Sequence, residues 1–296
     1  MYLVTGAAGH LGQATINHLL NTYKVPANKI IATTREPAKL KALADKGIHV
    51  RDANFDDEAH LAKAFTGAAR LLLISTSAME PGVRLKQHTN AVRAAEKAGV
   101  THVIYTSMPN PVGSAILFAP DHVGTEKALA ESKIKSWTVL RNNWYLENLL
   151  FSMPQALQSG TQYSAAGQGK IAHIARDELA RAAASLLSSM ESGKSTYTLS
   201  GTKEYTTDEI AALVSKATGK PLKVVHVPVE SLVQGMIGAG LPEGMARLFA
   251  SFDEAISQGT LAGTAADFKK LTGTEPQGLE DWLNKNAGAF AAPAAH

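Results

Sequence analysis

Residues 5–12 read Thr5-Gly6-Ala7-Ala8-Gly9-His10-Leu11-Gly12. The apolar run Tyr2-Leu3-Val4 before them predicts a short buried strand. After them Leu11, Thr15/Ile16, Leu19/Leu20 and Tyr23 recur at helical spacing. Three glycines at G-x-x-G-x-x-G spacing therefore sit on a strand-to-helix turn. Such a turn brings backbone N–H groups and the positive end of a helix onto a phosphate. Gly6 would turn the chain sharply out of the strand, and Gly9 would let the backbone approach a pyrophosphate with no Cβ in the way. Gly12 would let the helix pack closely on the sheet. Glycine spacing alone also occurs in ordinary βα turns. The flanking strand and helix, and the place at the start of the chain, favour a dinucleotide as the ligand.

Working outward, strand and helix alternate through the first half. Strands are expected at 2–5, 29–34, 48–51, 71–75, 103–106 and 137–141, with helices at 11–23, 38–46, 57–65, 85–98 and 122–132. Pro37 suits a first helical turn, and Gly47 and Gly99 suit helix ends. Runs such as Leu71-Leu72-Leu73-Ile74 read as buried on both faces. The pattern predicts an α/β protein with a doubly wound parallel sheet. Beyond it, helices are expected at 144–157, 176–189, 207–218, 230–237 and 243–257. Strands are expected at 196–199 and 222–227, 159–170 is a Gly-rich stretch, and 291–296 reads as a frayed tail. Residues 1–150, with returning elements about 171–200, form the expected nucleotide domain, and 201–290 a smaller C-terminal α/β lobe. In open α/β sheets ligands bind beyond the carboxyl ends of the strands, so the substrate is expected between the lobes.

Composition narrows the classes. The chain has 296 residues, a formal charge of +3, 19% charged residues, ten histidines and no cysteine. Without cysteine there is no disulfide, thiolate nucleophile or cysteine-held metal. The histidines lack ligand spacing, so no metal site is expected. Basic runs with interleaved aromatics are missing, which argues against nucleic acid. No apolar run approaches the ~18–20 residues of a membrane span, and Met1 leads straight into the first strand. The protein reads as cytoplasmic, either a monomer or a homodimer.

Arg35 follows the second strand, where an Asp or Glu would bond the ribose 2′-hydroxyl of NAD. Arginine is instead a bidentate phosphate partner, which points to the 2′-phosphate of NADP. A charge-assisted bond of ~1.5–3 kcal/mol implies a preference for NADPH of roughly 10- to 100-fold. Asn54 and Phe55, with Asp56, follow the third strand, where an adenine edge would lie. The same residues would equally make a helix-capping loop. Ser75, Thr76 and Ser77 end the fourth strand, which would run under the nicotinamide ribose.

These residues resemble the atypical short-chain dehydrogenase/reductase superfamily. The resemblance rests on Thr5–Gly12, Arg35, Asn54-Phe55-Asp56-Asp57, Thr106-Ser107, Thr125-Glu126-Lys127 and the run from Leu140 to Asn148. Within the superfamily they look most like the NmrA-like branch of bacterial NADPH:quinone oxidoreductases and triphenylmethane reductase. The similarity covers roughly residues 1–285. The resemblance implies a Rossmann-type NADP-binding domain and a cleft for flat aromatic acceptors. It implies cofactor contacts at Gly6, Ala7, Ala8, Gly9, His10, Leu11, Arg35, Ser75 to Ser77, Lys127, Arg141, Asn142 and Asn143. It also places Trp144 and Tyr145 near the acceptor, although core packing of the next helix would suit them as well.

The superfamily carries Tyr-x-x-x-Lys, with the tyrosine as proton donor. Lys127 fits the lysine and is the expected catalytic residue, but Val123 stands where the tyrosine would be. His122 is adjacent and a candidate substrate contact. A helix turns its neighbour about 100° away, so His122 does not simply replace the tyrosine. Ser107 matches the superfamily serine, a poor acid by itself. Reducing a ketone makes an alkoxide whose conjugate acid is about as weak as water, with a pKa near ~15.7, and wants a positioned acid. Hydride transfer to a quinone makes a phenolate of pKa ~10, and transfer to a cationic dye makes a neutral product. The expected activity is therefore NADPH-dependent hydride transfer to a quinone, or to an azo or triarylmethane dye, without flavin. The alternative is a non-catalytic NADP(H)-sensing regulator.

Overall fold

The strands of the first half are buried along most of their length, and the helices between them cover both sides of one sheet. The computed structural model describes residues 1–291; the expected frayed tail falls, from 292 onward, outside the described residues. The first half runs β1 (Tyr2–Val4), α1 (His10–Asn21), β2 (Ile30–Thr34), α2 (Lys41–Ala44), β3 (His49–Asp52), α3 (Glu58–Phe65), β4 (Arg70–Leu73), α4 (Val83–Lys97), β5 (His102–Ser107), α5 (Ala119–Glu131) and β6 (Ser136–Asn142). There follow α6 (Asn148–Ser159), β7 (Thr161–Ser164), β8 (Lys170–Ile171), α7 (Arg176–Ser188) and β9 (Lys194–Leu199). The remainder is β10 (Tyr205–Thr206), α8 (Thr207–Thr218), β11 (Lys223–His226), α9 (Val229–Gly238), α10 (Glu243–Ser257), α11 (Asp267–Thr272) and α12 (Leu279–Asn286).

Seven parallel strands form one sheet in the order β3-β2-β1-β4-β5-β6-β9. The order reverses between β1 and β4, where Val4 lies beside both Ala32 and Leu72. Side chains alternate between the faces. Val4, Leu72, Ile104 and Leu140 join one core with residues of α1 and α7. Leu3, Leu71, Leu73, Val103 and Tyr105 join the other with residues of α3, α4 and α5. This is the α/β doubly wound sheet expected from the sequence.

A third core, built from α6, α8, α12 and the start of α5, joins the smaller lobe to the carboxyl end of the sheet. Asp253 of α10 accepts hydrogen bonds from Ser164 Oγ (2.8 Å) and Ala165 N–H (2.7 Å), tying that helix to β7. Thr206 and Glu209 close a capping box on α8.

Three local expectations change. The helix expected from Trp144 starts only at Asn148. The Leu146 N–H donates to Ile174 O, and the Ile174 N–H to Trp144 O, so this backbone is committed to a bridge rather than to a helix. The Gly-rich stretch contains β7, which pairs in parallel with β11. Within the stretch expected to be wholly the second lobe, Phe268 of α11 returns to the first-lobe core beside α7 and β9.

Candidate active site

The glycine turn leaves β1 through Gly6, whose φ of +59° suits a residue without a Cβ. The Ala7 N–H donates to Thr33 O and the Gly9 N–H to Gly6 O. A Cβ on Gly12 would meet the Gly6 carbonyl oxygen and lie 2.8 Å from Ala7 Cα. Gly12 thus lets the helix close on the turn itself, a contact nearer than the expected one with the sheet. Gly9 caps α1 with no side-chain hydrogen bond, and no acidic residue occupies the first turn. The amides of the first helical turn lack intrahelical acceptors, which fits a bound pyrophosphate. The Ala7 and Leu11 side chains are buried, Ala8 is half-buried and His10 is exposed, so the first two would offer only backbone.

Arg35 is exposed just past β2 and has no ion pair among the described residues, whereas Glu36 is paired with Lys39 at 2.7 Å. An unpaired guanidinium there fits a 2′-phosphate. Asn54 Oδ1 accepts from the Asp56 N–H (3.0 Å), and Asp57 caps α3 through the His60 N–H (2.9 Å). Asn54 therefore builds the turn. Phe55 is half-buried against the first-lobe core.

At the ends of β4, β5 and β6 the polar groups interlock. The Ser75 N–H donates to Thr106 Oγ1 (2.9 Å), and the Thr76 N–H to His88 Nε2 (2.9 Å); Ser77 is exposed. Ser107 Oγ donates to Glu126 Oε1 at 2.7 Å. Arg141 donates to the same carboxylate from Nε (3.1 Å) and Nη2 (2.7 Å), a bidentate pair. Asn143 Nδ2 donates to Leu261 O and its Oδ1 accepts from the Trp144 N–H. Both ends of that amide thus serve the junction of the lobes. Two buried atoms at these strand ends, Thr76 Oγ1 and Asn142 Oδ1, have no partner among the described residues. Unsatisfied buried polar atoms at strand ends fit a missing polar ligand.

The register of α5 differs from the expected one. His122, Thr125, Glu126 and Leu129 face the sheet. Lys127 lies about 100° round from Glu126, its side chain 73% exposed and 3.9 Å from Glu131. The structure brings Glu126, not Lys127, to Ser107. It likewise turns His122 inward where Val123 was aligned with the superfamily tyrosine. The i, i+4 spacing of His122 and Glu126 was the signal available in the sequence.

His122 is buried, with Nδ1 2.7 Å from the Tyr105 hydroxyl. Its ring meets Phe118 edge to face at 5.7 Å; Phe118 meets Phe252 at 6.0 Å, and Phe252 lies 4.5 Å from Trp144. Phe118, Trp144, Phe249 and Phe252 are all half-buried and pack on one another as an aromatic cluster at the edge of the third core. Burial, reinforced by the nearby Arg84 charge, holds the His122 pKa down at about 3. Tyr145 departs from Trp144: it packs against the first-lobe core with Arg176 over its ring at 5.3 Å. Glu147 accepts from the Arg176 N–H at the start of α7.

A seven-stranded parallel sheet with a glycine-rich turn at its switch point defines a Rossmann-type dinucleotide-binding protein. The chain belongs to the NmrA-like family, whose profile matches residues 2–283. It is 41% identical to Escherichia coli (strain K12) quinone oxidoreductase 2 over 273 residues, 92% of this chain and 94% of the relative. The crystal structure of E. coli NADPH-dependent quinone oxidoreductase QOR2 complexed with NADPH superposes with a TM-score of 0.90 at 39% identity, covering 96% of this chain and 99% of the other. Citrobacter sp. triphenylmethane reductase complexed with NADP(H) gives 0.88 at 36% identity, with the same coverage of both chains. Among the described residues no helix is long and apolar enough to cross a membrane, and no three His, Asp or Glu side chains gather as a metal site.

Proposed function

We propose that this protein is an NADPH-dependent reductase passing hydride directly to a quinone or a similar flat, electron-poor aromatic, azo and triarylmethane dyes included. The observation that carries this reading is the half-buried aromatic cluster of Phe118, Trp144 and Phe252 beside the strand ends that follow the glycine turn. The named activities of the two similar enzymes, a quinone oxidoreductase and a triphenylmethane reductase, support it.

The turn from Gly6 to Leu11 and the first amides of α1 would hold the pyrophosphate, and Arg35 the 2′-phosphate. Asn54 and Phe55 would border the adenine. Ser75 to Ser77, Asn142 and the backbone at Arg141 and Asn143 would border the nicotinamide end. Bound there, NADPH supplies the hydride. The quinone gains two electrons and one hydrogen and leaves as a hydroquinone anion, which takes its second proton from water. The chain orients the flat acceptor between aromatic edges and keeps bulk water from the reacting face. Ser107 stays bound to Glu126. Lys127, exposed on α5, would hold the nicotinamide ribose as the superfamily lysine does.

The test follows NADPH absorbance with a panel of quinones, azo dyes and triarylmethane dyes. Turnover with at least one class is expected. Tight NADPH binding with no oxidation by any acceptor would overturn the enzymatic reading and leave a nucleotide-sensing protein.

A further inference from the structure

A chain of buried hydrogen bonds leads from one backbone amide to the aromatic cluster, and it constrains where the ring protons sit. The Thr76 N–H can only donate, so His88 Nε2, 2.9 Å away, must accept. Burial, with the charges of His122 and Arg84, lowers the His88 pKa to about 3, so the ring is neutral and its proton sits on Nδ1. That N–H donates to Thr125 Oγ1 at 2.9 Å, whose own proton goes to Asp121 O at 2.7 Å. The Tyr105 hydroxyl lies 3.3 Å from His88 Nδ1 and 2.7 Å from His122 Nδ1. Of the two imidazole nitrogens in reach, His88 Nδ1 already carries a proton, so His122 Nδ1, at the shorter distance, is the one that accepts from Tyr105. Burial pushes the Tyr105 pKa well up, so its hydroxyl keeps the proton it donates. His122 therefore carries its proton on Nε2, while its hydrogen bond to Tyr105 is made through Nδ1.

We propose that His122 Nε2–H donates a hydrogen bond to the acceptor oxygen on which charge develops during reduction, with Tyr105 and His88 as positioning residues that hold this tautomer. This rests on the quinone-reductase reading above. A neutral imidazole donates a hydrogen bond rather than a proton, which is enough for a phenolate and too little for an alkoxide. The Phe118 ring, edge to face with His122, places the donor at the border of the aromatic cluster.

The test uses the protein with NADP+ bound and its histidines labelled with 15N, together with steady-state reduction of menadione. Long-range 1H–15N correlation is expected to show His122 as the Nε2–H tautomer, and Tyr105→Phe is expected to mix the two tautomers. His122→Leu is expected to lower kcat with menadione roughly 10- to 100-fold, with NADPH affinity unchanged. His122→Gln, which restores an N–H, is expected to regain much of that loss, and Tyr105→Phe to lose less than His122→Leu. An Nδ1–H tautomer in the parent protein, or an unchanged kcat in His122→Leu, overturns this inference alone. A parent protein that reduces no quinone at all overturns the reading beneath it and this role together.

Discussion

Arg35 and Arg141 are two arginines at strand ends with opposite commitments. Arg35 is exposed and free of ion pairs among the described residues, while Arg141 is held in a two-pronged pair with Glu126. Arg35→Ala is expected to weaken NADPH binding roughly 10- to 100-fold and to leave NADH binding nearly unchanged. Fluorescence titration with both nucleotides checks this, and equal losses would sink the assignment. Glu126→Ala would strand a largely buried guanidinium. After discounting for the partial exposure of Arg141, the expected cost is ~1–3 kcal/mol, read as a lower urea midpoint at unchanged slope. Lys127→Ala removes only an exposed i, i+4 contact of 3.9 Å. It is expected to change stability by less than ~0.5 kcal/mol, and a larger loss would mean that Lys127 is engaged more deeply than its exposure shows.

At the scale of the element, the turn into α1 separates two uses of glycine. A Cβ at Gly9 would meet only the Gly6 carbonyl oxygen, at 3.3 Å, whereas one at Gly12 would press on the backbone of Gly6 and Ala7. Gly12→Ala is expected to cost ~1–3 kcal/mol through overpacking. Gly9→Ala is expected to cost under ~1 kcal/mol and still to weaken NADPH binding, because the new methyl faces the phosphate. Thermal melts beside nucleotide titrations distinguish the two, and a melt lowered equally by both would contradict the contact geometry. This turn and the alternation of strands and helices were legible in the sequence because glycine spacing and buried runs are local signals. The working face of α5 was not. Its register depends on which residue meets Ser107, and that partner, Glu126, is set by how the helix packs on the sheet. Phe249 and Phe252 could not be foreseen as members of the aromatic cluster, since only the packing of α10 brings them to Trp144. Tyr145 and Trp144 are neighbours in sequence, yet the bridge at Ile174 sends them to different cores.

For the whole molecule, buried neutral histidines set the response to acid. Burial holds His88 and His122 at about 3 and His173 at about 4, against an ordinary value of 6.5. The unfolded chain therefore binds more protons than the folded one between those values. The stabilisation is fully present above pH ~6.5 and is lost as pH falls toward the folded pKa values. Each of these histidines contributes a slope of up to ~1.4 kcal/mol per pH unit in that window. Asp121 and Asp253, pushed up by burial, oppose the trend at its acid end. Urea unfolding between pH 7.5 and about pH 4.5 is expected to show a steep fall that His173→Gln makes shallower. A flat profile across that range would show that these rings are not buried as described.

The aromatic cluster is made of phenyl rings, an indole and an imidazole, and the chain carries no sulfhydryl at any position. Quinones are electrophiles, and the thiolate is the side chain they capture most readily. An enzyme that concentrates such a compound between Phe118, Trp144 and Phe252 would, with a cysteine nearby, be arylated by its own acceptor. This one offers no thiol to attack, so prolonged turnover should leave its mass unchanged. The same rings that attract the acceptor thus let it depart intact.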